Sequence, residues 1–410
     1  MTRLELFYDL IFVFAFLNVT DLVSHDLTIV SAFSGLVVLA LLWFCWTVFG
    51  VLSNLVRTDH GVLPLFGFAI MAAVFVLALA IPQAFVEQPG SLPGSLVFAI
   101  CYMIVRALTV TAFLFVFGTE HHSMWRRVFV TVPPLLAAVL VGVATVLPQW
   151  LEADFTLAIR LGFWIAALVV EYAVGLALPY ARWSVVSAGH WAERHALIVL
   201  IALGEAVISL GLGPGRFEGL ALTYRVIVAS VLGIALIAAL WWLHFDTLAS
   251  AVEQALHGTR DRRRIPLARD AFTYLHLLLI IGIVATALGL KLVLKEVAAP
   301  NVHPPRVPTV IALYGGVALY LLAGAAIVLR TFRRLRPSNL VTVVLIGLLI
   351  VPASHVTPLF ALGGLVVVCA TLALVQRFTG ASARARIKRA ERLEEEAVEK
   401  AISDWRRWHL

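Results

Sequence analysis

Long apolar stretches alternate along the chain with short polar segments. An α-helix needs about 20 apolar residues to cross roughly 30 Å of hydrocarbon, and most of these stretches reach that length. The pattern predicts about twelve spans, at residues 4–24, 29–54, 62–86, 95–118, 127–148, 155–179, 192–212, 220–247, 267–294, 308–331, 338–353 and 357–376. Clusters of proline and glycine at 89–94, 211–215 and 300–308 separate neighbouring spans. We therefore expect an all-α, polytopic transmembrane helical bundle whose shortest span is 338–353.

The composition agrees with this class of protein. Of the 410 residues, 61% are hydrophobic and 13% are charged, against roughly 25% charged in soluble domains. The spans use most of the length, so we expect no separate soluble domain. Cys45, Cys101 and Cys369 lie inside apolar runs and give neither a disulfide framework nor paired metal-ligand spacing. The first span starts near the N-terminus without a small-residue cleavage site, which predicts a retained anchor.

Basic residues are distributed unevenly over the alternate loops. One set of loops carries Arg3, Arg57, Arg126, Arg127, Arg182, Arg260, Arg262, Arg263, Arg264, Arg333, Arg334 and Arg336, whereas the other carries only Arg216, Lys295 and Arg306 well outside the spans. Since basic loops face the cytoplasm, both termini should be cytoplasmic. The same bias explains the net charge of +7, and the sequence contains no nucleic-acid-binding module. The expected partners are membrane lipids and not nucleic acids.

The last segment, residues 379–410, differs in composition from the spans. It is basic from Arg384 to Arg389 and acidic from Glu391 to Glu399, and it carries apolar residues at near-helical spacing. The pattern predicts an amphipathic cytoplasmic helix. This helix either lies on anionic lipid or a partner, or is solvated and only completes the topology.

Two related halves are indicated by similar positions in spans one and seven and in spans two and eight. Glu5 and Glu193 open their spans, and the segments Leu42–Phe44 and Leu240–Trp242 are alike. Six spans in each half would make residues 1–186 and 187–378 parallel repeats, related by an axis along the membrane normal.

Ionisable side chains inside the spans are the main functional clue, because each costs about 2.5 to 3.5 kcal/mol to insert at the centre of a helix. The candidates for a pathway or a proton-binding site are Asp9, Asn18, Glu205 and His276. Arg106 and Glu171 are candidates for an internal charge pair. A cytoplasmic-side cluster is expected from Glu5, Glu193, Arg194, His195, His244, Asp246, Arg269 and Asp270.

Two interpretations of these groups are open. They line a wetted pathway, or they pair across helices and hold the helices in register. The possible pairs are Arg106 with Glu171 or Glu205, and Asp9 or Asp246 with Arg194 or Arg269. Glu205 lies about 18 Å deeper than Glu193, near the midplane, where a carboxyl group can carry a proton or bind a cation. His276 can relay a proton or form a hydrogen bond between helices.

Motifs for other chemistry are absent from the sequence. The spans contain no HExxH motif and no histidine pair four residues apart, and the chain has no GxSxG elbow and no Walker or Rossmann glycine pattern. We therefore predict no metal, no cofactor and no assigned catalytic residue. Enzymatic activity is left undecided, with a non-enzyme favoured.

Three segments together resemble the low temperature requirement protein A family of bacterial membrane proteins. They are Leu4–Val13 in span one, His190–His195 followed by Leu203–Glu205 in span seven, and Arg269–His276 in span nine. The resemblance covers nearly the whole chain and implies a multi-pass protein of the bacterial inner membrane, linked by the family's name to growth in the cold. It implies no agreed activity and no catalytic residues.

A second likeness concerns the first helix. Arg3–Asp9 resembles the R-x-x-x-F-S-D opening of endolysosomal-type potassium channels, which are built from six-helix repeats, with Tyr8 in place of the serine. The second half departs from that motif, with His195 and Leu197 where the repeat would place phenylalanine and aspartate. The likeness implies that spans one and seven line a pathway.

The favoured function is a permease or channel for a small ion or solute, with proton coupling as one form of it. The alternatives are a membrane-embedded enzyme that acts on a lipid or isoprenoid at the cytoplasmic face, and a non-transporting scaffold. Homo-oligomerisation and the identity of the ion or solute are left open.

Overall fold

The structure is a computed structural model of the chain, and it describes residues 1–85, 90, 92–118, 124–150, 155–177, 185–211 and 223–409. The helices are α1 (Arg3–His25), α2 (Ile29–Leu55), α3 (Leu63–Ala80), α4 (Gly94–Gly118), α5 (Met124–Val146), α6 (Thr156–Ala177), α7 (Ala188–Gly211), α8 (Tyr224–Phe245), α9 (Leu248–His257), α10 (Asp261–Leu267), α11 (Leu275–Ala298), α12 (Val307–Val310), α13 (Gly316–Phe332), α14 (Pro337–Ala353), α15 (Pro358–Thr379) and α16 (Ala381–His409). Arg182, Arg216, Pro89 and residues 212–215, which entered the sequence argument, lie outside the described residues.

The predicted all-α class is confirmed. Within the described residues, eleven helical segments are long and apolar enough to cross a membrane, and α14 adds a shorter apolar helix of 17 residues. This agrees with the prediction of about twelve spans, of which the one at 338–353 is the shortest. The predicted helix in the tail is also present, as α16.

Several predicted boundaries were wrong. Span seven begins at Ala188 and not at 192, and span nine begins in α10 and not at 267. Span nine continues through a π-helical turn, Ala268–Tyr274, into α11, and a second π-helical turn, Ile311–Gly315, joins α12 to α13. The short helix α9, between α8 and α10, was not predicted.

Local chemistry explains where several helices begin. Thr2 and Glu5 form a capping box at the start of α1, in which each side chain accepts a hydrogen bond from the other residue's backbone N–H. Thr28 and Thr223 cap α2 and α8 through their hydroxyl groups. Pro337 and Pro358 lie in the first turns of α14 and α15, where the missing N–H has no intrahelical partner to lose.

The centre of the bundle is formed by α1, α7 and α11, which contact one another. Helix α1 also packs on α2 and α3, and α11 also packs on α8 and α13. The contact between α11 and the π-helical turn Ile311–Gly315 is close, since a Cβ added to Gly289 would lie 2.5 Å from the backbone of Leu313. Glycines at such positions let helix backbones approach each other, as is common in membrane proteins.

Polar contacts define two ends of the bundle. The amino group of Met1 lies 3.3 Å from Glu193 in the second turn of α7, and Arg384 at the start of α16 donates to Asp246 at the end of α8 over 2.7 Å. We call this the basic end, since it carries the arginines of the α2–α3, α9–α10 and α13–α14 connections. The opposite end carries the α1–α2 and α11–α12 connections.

Candidate functional site: charged groups inside the bundle

Arg194 and Asp9 form a fully buried ion pair between α7 and α1. Arg194 Nη2 donates to Asp9 Oδ1 over 2.7 Å, and both side chains are 0% exposed. Trp46 Nε1 donates to the same oxygen over 2.7 Å, and Arg194 Nη1 donates to Ser53 Oγ over 2.7 Å. Helices α1, α2 and α7 are therefore joined through one arginine, and this geometry favours a role in holding them in register.

Glu5 lies one turn before Asp9 and is also buried. Its Oε2 lies 2.9 Å from His190 Nε2, and Thr58 Oγ1 donates to its Oε1 over 3.2 Å. Glu193 does not join these groups, because its side chain is 52% exposed and pairs with the N-terminal amino group. The cytoplasmic-side cluster expected from the sequence is thus divided into separate contacts.

The remaining charges of that cluster pair elsewhere. Asp270 contacts Arg269 and Arg330, at 2.6 and 2.8 Å, while Asp246 pairs with Arg384 of the tail helix. Of the pairings considered from the sequence, Asp9 with Arg194 is the one observed at this end.

Arg106 and Glu171 pair in the middle of the first half of the chain. Arg106 Nη2 contacts Glu171 Oε1, both side chains are 1% exposed, and Tyr102 Oη donates to the same oxygen over 3.1 Å. Arg106 Nε and Nη1 have no hydrogen-bond partner within the part of the chain that the structure describes. The pair is neutral overall, and Arg106 Cζ also lies 5.1 Å from the ring centroid of Phe44 and 5.7 Å from that of Tyr102.

Three histidines from α7, α8 and α11 meet near the basic end. The ring centroids of His195 and His276 are 5.4 Å apart, and those of His244 and His276 are 6.0 Å apart. The Nδ1 atoms of His195 and His276 lie 2.8 Å from the carbonyl oxygens of Trp191 and Ala271. No group of three or more His, Cys, Asp or Glu in the described ranges is arranged to hold a metal ion.

A small cavity adjoins this histidine cluster. It has a volume of about 20 Å³ and is lined by His244, His276 and Glu253 among others. Both ring nitrogens of His244 and Nε2 of His195 are buried, and in the described ranges they have no hydrogen-bond partner. A cavity of this size holds one water molecule, which would give His244 a hydrogen-bond partner, whereas His195 does not line the cavity.

Glu205 lies deeper in the bundle and is 0% exposed. Ser209 Oγ donates to its Oε1 over 2.7 Å. Thr20 Oγ1 of α1 lies 3.4 Å from the same oxygen but donates more closely to the carbonyl of Leu17, at 2.7 Å. Oε2 of Glu205 has no hydrogen-bond partner within the described residues, and no ion pair with Glu205 is observed there. Asn18, one of the candidates, donates to the carbonyl of Phe14 in its own helix.

A polar track leads from Glu205 to the opposite end. Lys291 of α11 pairs with Asp21 and lies 3.4 Å from Ser24 Oγ, one turn beyond Thr20 on α1. Ser24 in turn lines a cavity of about 540 Å³. The other lining residues of this cavity include His25, Asp26, Lys295, Glu296, His303 and Arg306.

Sequence reasoning missed several of these groups. Lys291 is an ionisable residue within the predicted span 267–294, and this position in an apolar segment is the signal that identifies it. Ser209 follows Glu205 by four residues, which is the spacing of neighbours on one helix face. For Thr20 the sequence offered no signal, because hydroxyl groups are common in membrane helices.

The fold and these buried charges define the class, a multi-pass integral membrane protein. Residues 1–374 match the bacterial low temperature requirement A protein (LtrA) family, and the chain belongs to this family. The resemblance noted in the sequence is thereby confirmed. The chain is also 29% identical over 352 residues to an uncharacterized protein of Rhizobium meliloti (strain 1021), a match that covers 81% of this chain and 78% of that protein.

Proposed function

We propose that the protein is a permease or channel for a small ion or solute, and that Glu205 is its proton- or cation-binding group. The observation that carries this proposal is a fully buried carboxyl group without a paired cation, from which a polar track leads to a large polar cavity. Ionised carboxylates in a low-dielectric interior are costly unless a positive charge joins them. The site therefore favours a proton or a small cation as its occupant.

Glu205 and Thr20 are buried and do not line the 540 Å³ cavity, so access to Glu205 from the opposite end requires a local opening of the helices. Thr20 and Ser24 lie four residues apart on one face of α1, and Lys291 and Asp21 lie beside Ser24. An ion in the 540 Å³ cavity meets Ser24, and after such an opening it would pass Thr20 to reach Glu205.

Towards the basic end, the segment of α7 that precedes Glu205 is buried in apolar packing. Ile198, Val199 and Ala202 lie between His195 and Glu205 on α7 and are each 0% exposed. The distance along the helix between those two residues is about 15 Å. Passage through the protein then requires α1, α7 and α11 to separate over this segment, so that the binding group opens to one side at a time. The histidine cluster, with its water-sized cavity, would receive the proton at the basic end.

Ion flux in proteoliposomes tests the proposal. Purified protein is reconstituted with a pH-sensitive dye inside, and proton entry is measured under a membrane potential, with K⁺ and Na⁺ gradients as parallel arms. We expect Glu205→Gln to lower the flux at least about tenfold, since it removes the group that exchanges the ion. Ser209→Ala should lower it less, because it removes only the hydroxyl that holds the carboxyl group.

The chain provides matched controls for both variants. Asp59 is an exposed carboxylate in the α2–α3 connection, where hydrogen bonds from His60 and Arg57 hold its pKa below the ordinary value. Asp59→Asn should therefore leave the flux unchanged, as should Ser230→Ala, since Ser230 only donates to a carbonyl of its own helix. Equal flux for wild type and Glu205→Gln would remove the proposed role of Glu205. If the flux through wild-type protein equals that of empty liposomes for protons, K⁺ and Na⁺ alike, the proposed conduction of these ions is refuted.

A further inference from the structure

A third cavity lies between the N-terminal and C-terminal parts of the chain, away from Glu205. Its walls come from α2, α4, α5 and α6 on one side and from α7 and the α10–α11 segment on the other. It has a volume of about 140 Å³ and is lined mainly by apolar side chains such as Phe44, Val110 and Phe113. A cavity of about 150 Å³ with apolar walls accommodates a benzene molecule, so this one can take a segment of a hydrocarbon chain.

Unpaired hydrogen-bond donors lie in the wall of this apolar cavity. Arg106 and Trp191 both line it, and they are 1% and 5% exposed. Arg106 Nε and Nη1 and Trp191 Nε1 have no hydrogen-bond partner among the described residues. Each of these atoms can only donate, and a buried donor without an acceptor costs about 1–3 kcal/mol. All three atoms are themselves buried, so the oxygen acceptors of a ligand reach them only if these side chains turn towards the cavity.

The charge near the cavity favours an anionic acceptor. Arg269 lines the cavity near the basic end, and its side chain retains 16% exposure. Arg269 and Arg330 share the single carboxylate of Asp270, so these three side chains carry one surplus positive charge. Arginine is well suited to bind carboxylate or phosphate groups because its guanidinium presents several donors in one plane.

We propose that this cavity binds an anionic amphiphile, with part of its hydrocarbon chain among the apolar side chains next to Trp191 and its carboxylate or phosphate oxygens at Arg269. The shared chemistry is an acyl chain with an anionic head group, supplied by a free fatty acid or by an anionic phospholipid. The site is separate from the proposed ion site because Glu205 does not line it.

Quenching of tryptophan fluorescence by brominated lipids tests this site directly. Protein in nonionic detergent is titrated with dibrominated stearic acid and with the matching alcohol. Parallel titrations use phosphatidylglycerol and phosphatidylcholine with brominated chains. Because the chain has 11 tryptophans, the signal is the part of the quenching that disappears in Trp191→Phe. We expect at least about tenfold tighter binding of an anionic probe than of its uncharged or zwitterionic partner.

Variants separate the head-group and chain contributions. Arg269→Gln should remove the preference for the anionic probe, while Asp270 keeps its pair with Arg330. Val110→Trp should abolish the signal by filling the cavity. Val139→Trp is the matched control, because Val139 is 57% exposed on α5 and does not line the cavity. If Val110→Trp does not fold, as judged by thermal unfolding, Val48→Phe takes its place in the same wall.

The outcomes test the proposed site and identify the source of its ligand. Selective binding of stearic acid but not of phosphatidylglycerol would identify a free fatty acid as the ligand, and the converse would identify a phospholipid. Binding that does not distinguish anionic from uncharged probes would overturn the proposal. The same holds if the variant that fills the cavity still shows the Trp191 signal.

Discussion

At the scale of single residues, the buried pair of Arg194 and Asp9 predicts a measurable effect of substitution on the free energy of unfolding. Both side chains are 0% exposed, and Asp9 is the only carboxylate that contacts Arg194 among the described contacts. Asp9→Asn keeps the shape but leaves the guanidinium charge uncompensated. Removal of one partner from a buried pair costs about 3–5 kcal/mol, so we expect a loss of that size in the free energy of unfolding. Chemical denaturation in detergent micelles measures it.

The double variant Asp9→Leu with Arg194→Met is the control for this prediction. Apolar replacement of both partners is often neutral, so the double variant should recover most of the stability that Asp9→Asn loses. Asp59→Asn, at the exposed pair with Arg57, should leave the denaturation midpoint unchanged. A double variant as unstable as the single one would contradict the account of an uncompensated charge.

The sequence analysis identified most of the residues that carry charge in the spans, although not Lys291 or Arg160, and it did not show how they are arranged. It left Arg106 free to pair with Glu171 or Glu205, because the choice depends on how α4, α6 and α7 are rotated about their axes. The rotation of α7, α8 and α11 likewise places His195, His244 and His276 together, and the sequence alone did not predict this cluster. Contacts of this kind depend on packing between distant segments, which a single sequence does not encode in its periodicity.

At the scale of helices, the close contact between α11 and the π-helical turn that leads into α13 depends on glycine. A methyl group on Gly289 would lie 2.5 Å from backbone atoms of Leu313, and backbone cannot move aside as a flexible side chain can. We expect Gly289→Ala to force the two helices apart and to lower the free energy of unfolding by about 1–3 kcal/mol. Thermal unfolding in detergent measures the effect.

Gly364 of α15 provides the matched control, since a Cβ added there meets no atom within 4 Å. Gly364→Ala should raise helix stability by up to about 1 kcal/mol, because alanine has the higher helix propensity. Equal effects of the two substitutions would show that the glycine at 289 does not set the helix spacing.

The two π-helical turns show what periodicity does not predict. Each introduces extra residues into a turn, so the face of α11 that begins at Leu275 is rotated relative to that of α10. Just after the first of these turns, His276 Nδ1 lies 2.8 Å from the carbonyl oxygen of Ala271, five residues earlier. A pattern based on 3.6 residues per turn does not predict this shift. The predicted start at 267 was wrong for another reason, because the helix continues N-terminally into the charged residues of α10.

At the scale of the whole molecule, apolar length predicted the number and order of the spans well, because hydrocarbon thickness imposes that length on each helix. The orientation in the membrane and the relation between the two halves remain predictions. Both follow from the sequence alone, from the distribution of arginine and from short similarities between spans. Contacts inside the bundle do not determine which end faces the cytoplasm.

Labelling of single cysteines tests the orientation. Cys45, Cys101 and Cys369 are buried, so a cysteine introduced on the surface should react selectively with a membrane-impermeant maleimide. We expect Asn301→Cys, in the α11–α12 connection at the opposite end, to react in intact spheroplasts. Asp59→Cys, at the basic end, should react only after the membrane is permeabilised, since basic loops remain in the cytoplasm.

The labelling results at residues 59 and 301 must also be consistent with each other. The spans formed by α3, α4, α5, α6, α7, α8 and the α10–α11 segment separate them, and an odd number of crossings must place them on opposite sides of the membrane. The reverse labelling pattern would put the basic end outside, and the 540 Å³ cavity would then open to the cytoplasm. The ion site at Glu205 would keep its geometry, but the direction of entry proposed for it would be inverted. Labelling of both positions under the same condition would contradict the order of spans itself.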